Sequence, residues 1–412
     1  MARREMTYYD TRDGRRSRRR RSRNRGYDSY DAMGTGAGFG SGSGSGGRRF
    51  SIPDWLMVVA SLMVAAGFVL SWAARWINPE TYGFMSAAGL FAPVIYAANL
   101  VCLLYWVIRW RRGAYIPLAV TVAGLCGVTL FFRPQLTQDH TDYSADRSLV
   151  SVVTYNVRGM LRPGAGSSLR SSMDDVVGVV DSLRPDILCL QEFASTPERP
   201  ASRFEESLPL YNYSRKRYNI AGGSPNHGWG NAIYSKFPIA GSGHMDFEGT
   251  NNSILWADIA VRRDTVRVFN AHLQTTAIKA SDERYIVDME FAGDDNLSRV
   301  RGMVGRLTRN YIIRSAQADS LAARIAASPY PVVVCGDFND TPVSWAYRRI
   351  SRGLKDSFRE AGRGYGHTYR GFFDLLRIDY MLHSPAMTCV WYSSPSFDNS
   401  DHNPVAVKMK MN

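Results

Sequence analysis

The chain has 412 residues, 45% of them hydrophobic, which allows one large domain with additional segments. Its formal net charge of +13 would suit a nucleic-acid binder, but residues 1–50 carry 13 Lys/Arg against 5 Asp/Glu while residues 148–412 carry 31 against 27. The basicity belongs to the tail, so overall charge does not identify the substrate. Cys102, Cys126, Cys189, Cys335 and Cys389 are spaced for neither a zinc site nor a dense disulfide framework and read as small buried side chains.

Residues 1–50 read as a disordered tail, because Arg15, Arg16 and Arg18 to Arg21 repel one another and the Gly/Ser run from Gly34 to Gly47 has nothing to bury. It reads as a cytoplasmic tail that helps fix orientation; attraction to anionic lipid or nucleic acid is the other reading. Three apolar stretches, about 52–74, 84–108 and 116–132, predict three transmembrane helices, the last at the short end for a bilayer. Trp72, Trp76, Trp106, Trp110 and Tyr115 fall near their ends, where amphipathic rings favour headgroups. Arg48, Arg49, Arg109, Arg111 and Arg112 flank one side and only Arg75 and Arg133 the other. The tail is therefore expected in the cytoplasm, and an odd number of spans puts the remainder on the extracytoplasmic side.

After a linker at 134–147, residues 148–412 alternate short strands and helices. LVSVVTYNV, PDILCLQE, GNAIYS, LWADIAV, TVRVFNAHL, YPVVVCGDFN, RIDYMLH and PVAVKMK read as strands, residues 171–183 and about 296–327 as helices, and Lys279–Asp295 as an acidic surface loop.

Polar residues recur where these apolar strands end: Asn156, Glu192, His272, Asp337, Asn339, Asp379, Asp401 and His402. Each alone has a plain alternative, Asn156 as a strand terminator, Glu192 as a solvated end, His272 as a satisfied core histidine. Jointly the alternatives fail, since a carboxylate at a strand's apolar end costs several kcal/mol unless a cation or donor satisfies it. The carboxylate-rich set suits Mg²⁺ or Mn²⁺, hard ions that bind phosphate oxygens.

The ordered motifs TYNV, CLQE, GNAIYSKFPI, NAHL, GDFND, RIDYML and SDHNPV resemble the endonuclease/exonuclease/phosphatase superfamily, from about Val152 to Val407. The resemblance implies an α/β fold, a four-layered sandwich of two packed β-sheets with helices outside. It also implies that Asn156, Glu192 and Asp401 bind the metal and that Asp337 positions or deprotonates the attacking water, which Asn339 helps hold. By the same resemblance His402 contacts the scissile phosphate with Asp379 fixing its tautomer, His272 is a phosphate ligand or proton donor, and Asn231 faces the substrate. Whether Asp337 or His402 takes the water's proton stays open. Arg158 departs from the acid of the DNA-repair members, and His272 marks the branch with two active-site histidines.

The expected function is a membrane-anchored, metal-dependent phosphoester hydrolase on a lipid headgroup, small molecule or nucleic acid; no protein partner is named by the sequence. A nuclease would want a basic groove, which Arg215, Lys216 and Arg217 begin. A non-catalytic scaffold would not need every expected position filled.

Overall fold

A computed structural model of the protein describes residues 50–134, 143, 146–160, 173–197, 199–221, 228–276 and 296–412. The tail to residue 49, the acidic loop 279–295 and much of the linker lie outside them.

The first apolar stretch forms helix α1 (Ile52–Ala73), opened by Ser51 and Asp54 in a reciprocal cap. The second is broken: α2 (Pro79–Ser86) kinks at Tyr82, a 3₁₀ turn runs over Ala87–Phe91, and α3 (Ala92–Arg109) resumes with Pro93 in its first turn. The third gives only α4 (Tyr115–Val128), 14 residues or about 21 Å long, against roughly 30 Å of hydrocarbon in a bilayer. Two helices among the described residues, not three, are therefore long and apolar enough to cross a membrane. The expectation of a third span fails because Leu130 and Phe131 are apolar for another reason. They are buried against Phe269, Val334 and Tyr380 of the following domain.

The three helices pack with polar groups inward and large apolar ones outward. On α1, Asp54, Ser61 and Ser71 are buried while Leu56, Val59, Leu62, Met63 and Val69 are exposed. Trp106 Nε1 donates to Ser61 Oγ at 3.0 Å, Asn99 Nδ2 to Pro117 O at 3.1 Å, and Asp54 takes Arg109 at 3.2 Å. Gly124 and Gly127 let the rings of Tyr96 and Trp72 lie against α4. Cys126, expected to be buried, is exposed on α4.

In chain order the strands are β1 (Phe132–Arg133), β2 (Val150–Asn156), β3 (Ile187–Ser195), β4 (Tyr213–Ala221), β5 (Gly228–Ser235), β6 (Ile239–Asp246), β7 (Ser253–Val261), β8 (Asp264–His272), β9 (Val332–Asp337), β10 (Lys355–Asp356), β11 (Gly364–Tyr365), β12 (Asp379–His383), β13 (Met387–Ser393) and β14 (Val405–Met411). The helices among them are α5 (Met173–Leu183), α6 (Ala201–Glu206), α7 (Asn296–Ala326), α8 (Trp345–Ile350) and α9 (Ser357–Ala361). Two six-stranded mixed sheets form, ordered β10-β12-β9-β8-β7-β6 and β13-β14-β2-β3-β5-β4. They share a core of Val152, Cys189 and Ile233 on one side and Leu255, Val268 and Cys335 on the other. Helices α5 and α6 cover the outer face of one sheet, and α7 and α8 that of the other, giving the expected four layers. Strands β4 and β6, which hydropathy does not mark, are sheet edges, where charge and glycine replace apolar alternation; β13, MTCVWYS, is an edge strand that the sequence reading passed over.

Each sheet holds one parallel pair, β2 with β3 and β8 with β9. The second pair closes tightly at Gly336, whose φ of +128° and nearest neighbour, Ala271 O at 1.9 Å from an added Cβ, exclude a side chain. Gly336→Ala is expected to cost at least about 2 kcal/mol, read as a drop of several degrees in Tm; an unchanged Tm would show that the strands separate freely there.

Candidate active site

The parallel pairs deliver their C-terminal ends to one place. β2 ends on Asn156, which registers with Gln191 of β3, and β8 and β9 end on His272 and Asp337, registered with each other. β12 begins on Asp379, registered with Asp337. Three adjacent strands thus set His272, Asp337 and Asp379 in one row. Glu192 sits in a bulge of β3 between Leu190 and Phe193, with φ +50°. The bulge re-aims this carboxylate at the row.

Asn156 Nδ2 bridges the sheets, donating to Glu192 Oε1 at 3.1 Å and Asp337 Oδ2 at 3.0 Å. Asn339, at φ +54°, donates from its backbone N to Asp337 Oδ1 at 2.8 Å and from Nδ2 to Asp337 Oδ2 at 3.1 Å. His402 Nδ1 lies 2.9 Å from Asp379 Oδ2, and its Nε2 faces Asp337 Oδ2 at 3.7 Å. His272 Nε2 lies 3.8 Å from Glu192 Oε1 and 3.9 Å from Asp337 Oδ2. Asp401, half-exposed, pairs with Arg158 at 3.5 Å, while Ser400 Oγ ties its loop to Asn156 O at 2.8 Å. Of the eight expected strand-end and loop residues, six line one cleft, Glu192, His272, Asp337, Asn339, Asp401 and His402, while Asn156 and Asp379 bond to residues that do; the cleft continues past Glu192 and His272 into a second lobe.

Burial pushes the Asp337 carboxyl up to about 6, opposed by the flanking imidazoles. Burial works to lower His402, yet Asp379 and Asp337 carry it up to about 10. The site therefore holds a charged imidazole oriented by one carboxylate and facing another.

Asp337, Asp379 and His402 bring one ligand atom each within 4.8 Å of one another. Because Asp379 is engaged by His402 Nδ1, this trio reads as an oriented imidazole and its partners, not as a metal nest. A cation fits better among Asn156, Glu192 and Asp401. Among the described residues, the ion pairs of Glu192 and Asp337 are to histidines, whereas Asp401 carries Arg158 at 3.5 Å, a half-exposed pair that a cation would share or displace. An all-oxygen donor set of this charge suits Mg²⁺ or Mn²⁺.

Asn231 is placed differently from the rest. It is 1% exposed, and its Nδ2 donates to Ser253 O at 2.8 Å, beneath His272, which registers with Ser253. Of the aromatic residues flanking GNAIYS, Trp229 lines the cleft, whereas Tyr211 donates to Pro185 O at 2.6 Å.

Sequence reasoning passed over Arg314 and Asp340. Their buried pair at 2.8 Å anchors the loop after β9, and Arg314 Nη2 reaches Thr276 Oγ1, which in turn donates to Asn339 O at 2.7 Å. The signal was present: Asp340 is the last residue of GDFND, and Arg314 occupies the apolar stripe of α7 beside Tyr311, Ala318 and Leu321.

Two packed mixed sheets with carboxylates, imidazoles and amides converging at one end define a four-layered α/β sandwich of the phosphoesterase type. The chain belongs to the Endonuclease/Exonuclease/phosphatase family, whose sequence model matches residues 153–402. A second model, described as a domain of unknown function, matches residues 54–131. No curated protein matches the chain. Among solved structures, an endonuclease/exonuclease/phosphatase from Beutenbergia cavernae DSM 12333 is 19% identical, with 64% of this chain and 72% of that one covered and a TM-score of 0.47. The mannosyl-6-phosphatase Bt3783 of Bacteroides thetaiotaomicron VPI-5482 is 17% identical, covering 63% and 99%, TM-score 0.44. The human Nocturnin catalytic domain with bound sulfate is 18% identical, covering 68% and 100%, TM-score 0.45.

Proposed function

We propose that this protein is a membrane-anchored phosphoester hydrolase that uses a divalent cation and a water attacking phosphorus. The observation that carries the reading is the convergence of Asn156, Glu192, Asp337, Asn339 and the His402–Asp379 pair on one cleft. Mg²⁺ or Mn²⁺ held by Asn156, Glu192 and Asp401 would neutralise charge on the non-bridging phosphate oxygens. Asp337, fixed by two contacts from Asn339, orients the attacking water and accepts or shares its proton. His402, held by Asp379 and charged, donates from Nε2 to a phosphoryl oxygen as negative charge builds. His272, across the cleft beside Glu192, donates to the phosphate or to the leaving oxygen. Asn231 acts on the substrate side through Ser253 and the end of β7.

Electrostatics favours this over a nuclease. In the strand expected to begin a basic groove, Lys216 pairs with Glu205 and Arg217 with Asp246, so two of its three cations are neutralised. A scaffold that had lost activity would have no need to keep two imidazoles, three amides and four acids in register.

Anchoring is supported by the inverted polarity of the helical bundle, whose apolar exterior and hydrogen-bonded interior suit lipid as solvent. Asp54, Arg109 and Arg111 gather at one end of the bundle, and the catalytic domain packs on the other. By the positive-inside rule the bundle end carrying Arg109 and Arg111 is cytoplasmic, so the domain packed at the other end lies outside, α4 being too short to span alone and reaching that end through residues 129–131. Alkaline phosphatase fused after Asn412 is then active and GFP at the same site dark; the reverse pattern places the domain in the cytoplasm.

The decisive assay uses the full chain in detergent micelles against a phosphomonoester, a phosphodiester and DNA with Mg²⁺ or Mn²⁺. Hydrolysis of at least one ester that stops in EDTA and returns with excess metal is expected. Full activity in excess chelator sinks the cation, and inert behaviour toward all three sinks the hydrolase.

A further inference from the structure

The cleft has two unlike walls. On one side, beyond Glu192 and His272, it is lined by Trp229, Asn251, Asn252 and Gln274, in a lobe of about 410 Å³. The other lobe, of about 150 Å³, is the catalytic pocket itself, holding Glu192, His272, Asp337, Asn339, Asp401 and His402, with Leu90, Phe372, Leu376 and Ile378 along one side. Leu90 comes from the 3₁₀ turn between α2 and α3, inside the apolar N-terminal region and outside the family's catalytic segment. It is 1% exposed and packs with Phe372, Leu376 and Ile378, while Phe91 meets the ring of Phe372 at 5.9 Å between centroids.

The turn is fixed to the catalytic loop as well. Thr341 Oγ1, four residues beyond Asp337, donates to Gly89 O at 2.9 Å. Opposite, Phe372, Phe373 and Asp374 are three successive non-glycine residues at φ between +51° and +62°. That backbone is costly for L-residues and holds Phe372 against Leu90 while leaving Phe373 61% exposed. Trp76, Tyr82 and Phe84, at the same end of the bundle, are exposed as well. Aromatic side chains in such numbers at the end of an apolar bundle are at home among headgroups.

We infer that the substrate is a lipid phosphoester, taken from the bilayer with its polar head in the Trp229 lobe, its phosphorus at Asp337 and His402, and its chain along Leu90 and Phe372–Phe373. The inference rests on the phosphoesterase reading and adds the substrate class to it. The apolar wall would be wasted on a nucleic acid or a sugar phosphate, each of which is polar on both sides of the phosphorus. The turn that carries Leu90 and Phe91 runs directly into α3, on which Val94, Leu100, Val101 and Leu104 are exposed.

The test uses the full chain in mixed micelles and compares matched esters that differ only in acyl chains: dioleoyl phosphatidate against glycerol 3-phosphate, and dioleoyl phosphatidylglycerol against glycerophosphoglycerol. DNA is included as a polar polymer. In the hydrolysed pair, the lipid is expected to exceed its deacylated counterpart by at least about 100-fold in kcat/KM, the value of burying a few methylenes. Phe373→Ser is expected to narrow that ratio about tenfold and Phe373→Leu to keep it. Equal rates on lipid and deacylated ester, or a preference for DNA, overturn the lipid assignment and leave the phosphoesterase standing. Loss of both rates in equal proportion in Phe373→Ser makes the wall a packing element and overturns its role in selection. Silence toward every ester and DNA overturns the hydrolase and the lipid assignment together.

Discussion

Asp337→Asn lowers kcat by at least about 10²-fold on the best ester, the usual loss when one transition-state interaction is removed, while the fold persists. The carboxylate is buried and pushed up to about 6, so neutralising it relieves a desolvated charge. Against that relief, Oδ2 accepts from Asn156 at 3.0 Å and Asn339 at 3.1 Å, and an amide nitrogen there accepts from neither. The two effects offset to within about 1–2 kcal/mol. His402→Ala, expected to lower kcat equally, should differ in stability. It leaves Asp379 buried with one oxygen already lacking a hydrogen-bond partner and the other losing His402 Nδ1. Comparing kcat with the urea midpoint of both variants separates the two. A near wild-type rate in a well-folded Asp337→Asn protein removes Asp337 from the chemistry.

Asp356→Ala is expected to cost about 3–5 kcal/mol, the penalty for stranding a buried charge. Arg377 is buried and donates to Asp356 Oδ1 at 3.2 Å and Oδ2 at 2.8 Å, while Tyr347 Oη donates to Oδ2 at 2.6 Å. Burial works to raise Asp356, but Arg377 overrides it and holds the carboxyl below the usual range. A depressed folded value means the contribution is complete at neutral pH and is lost only as acid reaches that lower value. Urea unfolding at pH 7 measures the loss. A change under about 1 kcal/mol would show that water reaches Arg377 in the variant.

The site was legible where strands end. Apolar runs that stop on Asn156, Glu192, His272 and Asp337 announce a row of polar side chains, because a buried strand has nowhere else to put them. Edge strands β4 and β6 were not legible, since SRKRYN and AGSGHM carry no apolar period. Nor was Leu90, whose place in the wall depends on packing against residues near 372–378, far along the chain. Hydropathy also ran through residues 129–132 without a break, because a domain core and a bilayer ask for the same side chains. Arg314 and Arg377 hid for the opposite reason: a lone arginine in a helix or before a strand reads as solvated until its carboxylate is found.

The joint between bundle and catalytic domain has a further consequence. Arg377 Nη2 donates to Leu130 O at 3.0 Å, β1 pairs with β11, and Thr341 holds Gly89. An enzyme on a loose tether sweeps a volume and can leave the surface between turnovers. This one would work at a fixed height and tilt, so its search is two-dimensional and set by lateral diffusion. Its rate would then follow the mole fraction of substrate within the plane: adding inert lipid at constant total substrate slows it, and adding buffer does not.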